Sequence, residues 1–378
     1  MSVEIKQHEP GKDLKDFIQV AFEVFADDPA WVPPLYMEIT DRLTPEKNPF
    51  FEHAEVALFT AWKDGNAVGR ISAQIDHEHL RIHEDNAGFF GFFDTVDDQE
   101  VASALVAAAE EWLVSRGMKV MRGPFSLSIN EETGMLVEGF DSPPTIMSPH
   151  HRSYQAALAE GAGLEKIKDC YGWKHQVAPA PPRAQRAWET ITSLPEVRFR
   201  SVSPRNLKKE VHDILDVFND AWQHNWGFVP ATDSEAKKMA ADLQLILDKD
   251  LSFFAEIDGQ PVAICLCLPN LNEVIFDFKG KLNPATIAKL IWRLKIRRPK
   301  SARLMLLGIR TDLRGKKRYA PLAMAIIAEL VRRGFKRGYE WAELGWTLED
   351  NRLMNAAIRS MGATIYKRYR LFEKPIGA

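Results

Sequence analysis

The sequence predicts an α/β (α+β) fold in two similar halves, each running hairpin, helix, strand, helix, strand. Three repeated features carry this. The first is a turn: Phe59 to Val68 (FTAWKDGNAV) and Phe253 to Val262 (FFAEIDGQPV) each place Asp-Gly between apolar runs, at Asp64-Gly65 and Asp258-Gly259. That pattern marks a tight hairpin, because the glycine accepts positive φ without steric cost. The second is an amphipathic helix followed by a strand. Glu100 to Arg116 carries Val101, Leu105, Val106, Ala109 and Leu113 on one stripe, stops at Gly117, and leads into apolar Met118 to Met121. Ala320 to Arg337 repeats this with Leu322, Ile326, Ile327, Leu330 and Val331, ends near Gly334 or Gly338, and leads into Tyr339 to Trp346. The third closes each half: a short helix, then Gly163-Leu164 or Gly362-Ala363, then a terminal strand.

The boundary falls at Ala178 to Arg183 (APAPPR), where proline lacks the backbone donor and fixes φ. The expected division is therefore residues 1–177, a linker over 178–195, and a second domain over 196–378 that restarts with an extended Val197 to Val202 and a helix from Asn206 to Gln223. A length of 378 residues suits two such domains. The net charge of −3 gives no global reason to expect a nucleic-acid partner. No stretch reaches the length of a membrane-spanning helix, Met1 to Asp16 is too polar for a secretory signal, and a cytoplasmic protein is expected. Three cysteines make no disulfide framework; Cys265 and Cys267 read as small core residues, and no metal is called for.

One segment carries phosphate-binding chemistry. Arg310, Arg314, Lys316, Lys317 and Arg318 crowd into a loop between the apolar strand Leu304 to Ile309 and the helix from Ala320. Free N–H groups, a favourable dipole and nearby cations suit a phosphate there; the alternative is a solvated basic turn. Pro284 to Lys300 (PATIAKLIWRLKIRRPK) mixes Ile287, Leu290, Ile291, Trp292 and Leu294 with six cations and no acid. It reads as a basic interfacial helix able to meet an anionic membrane, an acidic carrier protein or donor phosphates, or as a core helix with a solvated basic face.

The element order resembles the GNAT fold, two tandem domains each with a mixed central sheet flanked by helices. Arg314-Gly315-Lys316-Lys317-Arg318-Tyr319-Ala320 stands where that family carries its pyrophosphate loop, and Asn351 keeps the family's spacing to Gly362. The stretches KNPFFEHAE, GFFGFF, AWQHNWGFVP and WTLEDN further resemble a bacterial group of tandem GNAT-like proteins. That group includes ceramide synthases, which join a fatty acyl chain to a long-chain amine.

The resemblance implies acyl transfer from a thioester, either acyl-CoA or an acyl carrier protein, to an amine. Donor contacts would come from Ile309, Arg310, the loop Arg314 to Tyr319, Asn351 and Asn355, with the oxyanion held by a backbone N–H near Gly308 to Arg310. Glu343, rather than Glu340 at the strand's start, is the expected base. Tyr366 and Tyr369 are the candidate acids, since Ile358 replaces the family's helix tyrosine. Trp222, His224, Asn225, Trp226 and Phe228 would line the acceptor site; a hydrophobic clamp is the other reading. Lys317 and Tyr319 replace loop glycines, which suits either a weaker hold on coenzyme A or a carrier-protein donor. In the first half Asp94 to Glu100 is acidic, so donor binding is expected in the second half alone. His150 and His151 read as helix-capping or interface residues. Competing functions are a small-amine acetyltransferase, a transferase using aminoacyl-tRNA, and a non-catalytic pair that binds lipid or thioester.

Overall fold

A computed structural model describes residues 2–377, and the chain divides into two compact units. One comprises Met1–Cys170, Ile275–Lys289 and Lys367–Ala378; the other comprises Tyr171–Val274 and Leu290–Tyr366.

In chain order the first unit contains β1 (Glu4–His8), α1 (Lys15–Val24), α2 (Tyr36–Arg42), β2 (Ala54–Lys63), β3 (Asn66–Asp76), α3 (His77–His83), β4 (Ala87–Thr95), α4 (Gln99–Val114), β5 (Val120–Gly123), the short pair β6 (Phe125–Ser126) and β7 (Glu132–Thr133), β8 (Met135–Glu138) and α5 (Gln155–Gly161). Its sheet runs β1-β2-β3-β4-β5, antiparallel except for β4–β5. The chain's last segment, Phe372 to Pro375, pairs antiparallel with β5. Asp98 starts α4 by accepting from the N–H groups of Glu100 and Val101. The helix then buries Val101, Leu105 and Leu113 against Phe59, Ile71 and Phe90 of the sheet. The other face is covered by Phe17 and Ile18 of α1, beside Leu58 and Phe92.

The second unit takes up β9 (Glu165–Gln176) partway along, and the chain continues with α6 (Pro182–Thr192), β10 (Val197–Ser201), α7 (Leu207–Trp222), α8 (Asp233–Ile246), β11 (Phe253–Ile257), β12 (Gln260–Pro269), α9 (Leu271–Ile275), α10 (Pro284–Trp292), which belongs to the first unit as far as Lys289, β13 (Ser301–Ile309), α11 (Leu322–Arg337), β14 (Trp341–Leu348), α12 (Arg352–Ser360) and β15 (Thr364–Pro375), which passes to the first unit at Lys367. Strand order is β9-β14-β13-β12-β11-β10, with β13–β14 parallel. Alternation sorts the side chains. Phe253, Cys265 and Ala302 meet Leu322, Ala325 and Ile326 of α11, while Phe254, Ile264 and Leu266 meet Ile214 and Phe218 of α7. Each unit is thus a mixed sheet between helices, as the sequence predicts.

Both Asp-Gly turns are two-residue hairpins: Lys63 pairs with Asn66 and Ile257 with Gln260. Asp64 and Asp258 sit at φ 53° and 50°, and their glycines at 79° and 77°, the geometry that matches strand twist. Within the proline-rich stretch read as a linker, Pro182–Thr192 is helical, since proline at the first helical position loses no bond. Cys170, Cys265 and Cys267 are all buried, and none forms a disulfide among the described residues; burial raises the Cys265 and Cys267 thiols, which stay protonated.

Candidate active site

The site is built where two parallel strands part. β13 and β14 pair from Ser301↔Trp341 to Leu304↔Leu344, yet β13 continues to Ile309 and β14 to Leu348. Two features end the pairing. Against β12, Cys267 faces Leu304 while Leu266 faces Leu306, so Met305 is the extra residue of a β-bulge. Across the gap, a Cβ on Gly345 would lie 2.9 Å from Leu304 O, so only glycine fits where β14 turns away.

The bulge decides which backbone groups face the opening. The Arg310 N–H donates to Val262 O at 2.9 Å. Alternation then points Gly308 and Leu306 at β12, and turns the N–H and C=O of Leu307 and Ile309 toward the side β14 has left. Among the positions expected to supply an oxyanion donor, Ile309 is therefore the one that faces the cleft.

The expected acceptor loop lies at the end of β13. A Cβ on Gly308 would come within 2.1 Å of the Trp222 ring, so glycine at 308 lets the indole lie directly on the strand. Trp222 packs on Phe218 at 4.9 Å, and Phe218 on Phe228 at 5.3 Å. His224 and Asn225 are exposed, and Trp226 is half-buried.

The basic loop is tied to α7 by three contacts. Thr311 donates its N–H to Asp220 Oδ2 (2.5 Å), Arg314 Nη2 donates to Ala221 O (2.7 Å), and Arg310 pairs with Asp216 (2.5 Å). Arg318 and Tyr319 both donate to Glu196, and the bond from Glu196 raises the Arg318 guanidinium above its usual value. Lys316 makes an exposed pair with Asp312. Lys317 is exposed and has no ion pair among the described residues. Gly315 takes φ 90°, and no side chain caps the start of α11 beyond the loop. Asn351 caps α12 through the Met354 N–H. Asn355 is buried; its amide donates to Leu348 O and its carbonyl accepts from Thr347 Oγ1 (2.6 Å), which accepts from Trp173 Nε1. Both asparagines thus fix the exit of β14.

Beside the parting strands lies a buried charged cluster. Glu343, 1% exposed, takes Arg303 Nε at 3.1 Å from the neighbouring strand and accepts a hydrogen bond from the Tyr366 hydroxyl. Arg303 stands level with Glu343 in the parallel register, which is why the two meet. Sequence reasoning missed Arg303; the available signal was a single cation inside the apolar run SARLMLLGI. Glu340 is exposed and paired with Lys300. Tyr369 lies in the other unit, buried against Leu136 of β8.

The first unit fills the matching space with its own chain. After Phe89↔Arg122 the segment leaving β5 stays against β4, so close that a Cβ on Gly91 would lie 1.8 Å from Phe125 O. Gln74 secures it by donating to Phe125 O at 2.7 Å. His150 and His151, expected to cap a helix or line an interface, cap no helix here; they bond a loop and a strand. His150 bonds Asp28 (3.0 Å), His151 Nδ1 accepts the Leu136 N–H (3.1 Å), and α5 has no side-chain cap.

Two mixed sheets, with parallel strands parting ahead of a basic loop and a helix, define the tandem GNAT class. Solved structures of this fold include the tandem GNAT protein from the clavulanic acid biosynthesis pathway (12% identity, TM-score 0.59, 100% of this chain and 99% of that one). Another is a GCN5-related N-acetyltransferase from Sphaerobacter thermophilus (15% identity, TM-score 0.54, 100% and 96%). Over 367 residues the chain is 41% identical to the bacterial ceramide synthase of Caulobacter vibrioides (strain NA1000 / CB15N), covering 96% of this chain and 95% of that protein. It is 40% identical to protein YghO of Escherichia coli (strain K12), covering 96% and 93%. No protein-family profile matches. The chain belongs to the family of the bacterial ceramide synthase, and is a GNAT-type N-acyltransferase.

Proposed function

We propose that the protein joins a long-chain acyl group, carried as a thioester, to the amine of a long-chain base. The observation that carries this is the 41% identity to a bacterial ceramide synthase along nearly the whole of both chains. The cleft between β13 and β14 supports placing the donor in the second unit, since the matching space in the first is filled by Phe125–Ser126.

In this reading the donor carbonyl lies along β13 with its oxygen toward the Ile309 N–H, which stabilises the oxyanion as charge develops. The amine nitrogen bonds the carbonyl carbon. Its proton passes to the hydroxyl oxygen of the half-buried Tyr366 while the phenol proton moves to Glu343, which is itself too buried to meet the amine. When the C–S bond breaks, the same relay runs backward and the thiolate leaves as a thiol. Trp222 and Phe228 supply the apolar wall for the acceptor, and Arg303 keeps a positive charge beside Glu343. A carrier-protein donor is favoured over free coenzyme A by the prior engagement of Arg310, Arg314 and Arg318 with protein acceptors.

Incubating the purified chain with a long-chain base and, in turn, palmitoyl-CoA, palmitoyl acyl carrier protein and acetyl-CoA tests this by mass spectrometry. A long-chain amide is expected from a palmitoyl donor. Product from acetyl-CoA and a small amine alone, or no amide at all, overturns the reading.

A further inference from the structure

The surface of α10 is inverted relative to an ordinary surface helix. Ile287, Ile291 and Trp292, with Ile296 in the π-helical turn that continues it (Arg293–Arg297), are 44%, 57%, 48% and 72% exposed. α10 itself buries no residue. The opposite side carries the charge: Lys289 pairs with Asp277, and the buried Arg293 donates to Val274 O. Four large apolar side chains at spacings of four, one and four along one continuous helical run form two adjacent rows, Ile287 with Ile291 and Trp292 with Ile296, which together make a broad outward apolar ridge.

Cations rim the ridge. Lys295, Arg297 and Arg298 are exposed and have no acidic partner among the described residues, and no Asp or Glu occurs between Leu282 and Lys300. A second copy of this chain is a poor occupant, because a twofold contact would set these cations against their own copies. Aliphatic residues and a tryptophan at the crest, with cations at the flank, match a surface with an apolar interior and anionic headgroups.

We propose that the outward face of α10 and the turn after it, Ile287 to Arg298, docks the protein on an anionic lipid bilayer. The ridge seats between headgroups and Lys295, Arg297 and Arg298 meet their phosphates. The surface is independent of which acyl group or amine the enzyme uses.

Flotation of the full chain tests this, with vesicles of phosphatidylcholine alone and of phosphatidylcholine with phosphatidylglycerol at about 2:1. The chain is expected to float with the mixed vesicles, far less with the neutral ones, and less as salt rises. Ile291→Ser with Ile296→Ser should lower partitioning by roughly tenfold or more, without changing the thermal midpoint, because both side chains are exposed. Lys295→Glu, Arg297→Glu and Arg298→Glu should each cost about fivefold and together abolish the preference for phosphatidylglycerol. Failure of the parent chain to float with mixed vesicles overturns the proposal, as does unchanged flotation of the serine variant. Salt-sensitive capture of acyl carrier protein by this face without flotation would overturn it in favour of an acidic protein partner. No arm reads acyl transfer, so this result and the fate of the proposed reaction are separate.

Discussion

Glu343 meets Arg303 and Tyr366, which differ in use. Arg303 supplies a counter-charge and Tyr366 offers a movable proton. Substituting Glu343 with glutamine therefore changes two things at once: it removes the proposed proton store and strips a negative charge from a buried guanidinium. The second effect is destabilising on the order of 3 kcal/mol, so lost turnover in that variant would not by itself assign a role. Tyr366→Phe separates them, because it removes one hydroxyl and leaves the Arg303–Glu343 pair in place. We expect kcat to fall about 100-fold or more with the donor KM nearly unchanged. A variant that keeps its kcat removes Tyr366 from the relay. Glu343 and Tyr366 stand out in the sequence only as candidates, each on a strand that follows a helix. Their meeting was not legible there, because it depends on the register of separate strands.

At the scale of elements, what was legible is local. The Asp-Gly hairpins, α4 and α11 follow from turn chemistry and helical period within short windows. The bulge at Met305 does not, because LMLLGI is apolar throughout and shows no alternation to betray an extra residue. The seat of Trp222 on Gly308 joins positions far apart in sequence and is equally silent there. It predicts a specific coupling. Gly308→Ala should destabilise the protein by about 1–3 kcal/mol through overpacking, and Trp222→Leu in the same chain should restore part of that loss in a chemical denaturation cycle. Strict additivity of the two substitutions would mean the indole does not rest on the strand.

For the molecule as a whole, acid is the vulnerable direction. Burial lowers His151 from 6.5 to about 4, and lowers His79, His150 and His175 as well. Above pH 6.5 these histidines are mostly neutral in both the folded and the unfolded chain, so folding is undisturbed there. As pH falls from there toward 4 the unfolded chain takes up protons that the folded chain refuses, and stability drains away. Asp28, Asp85, Asp169 and Glu329 have lowered values and add a further loss below pH 4. Between pH 6.5 and 4.5 His151 alone should cost on the order of 2 kcal/mol. His151→Gln keeps an acceptor for the Leu136 N–H but cannot titrate, so its urea midpoint should fall less steeply over that range. Equal slopes would show that His151 is already protonated in the folded state.

The extra residue in β13 makes that strand a counter as well as a scaffold. Exchanging one aliphatic side chain for another between Leu304 and Ile309 alters shape by a methyl group or so, which a packed interior can absorb. Deleting a single codon there restores plain alternation, and every N–H beyond it rotates to the opposite edge. Leu307 and Ile309 would then spend their backbone groups on β12, and the cleft would face a strand with nothing to offer. In relatives of this chain, drift in spelling is to be expected along β13, and drift in length is not.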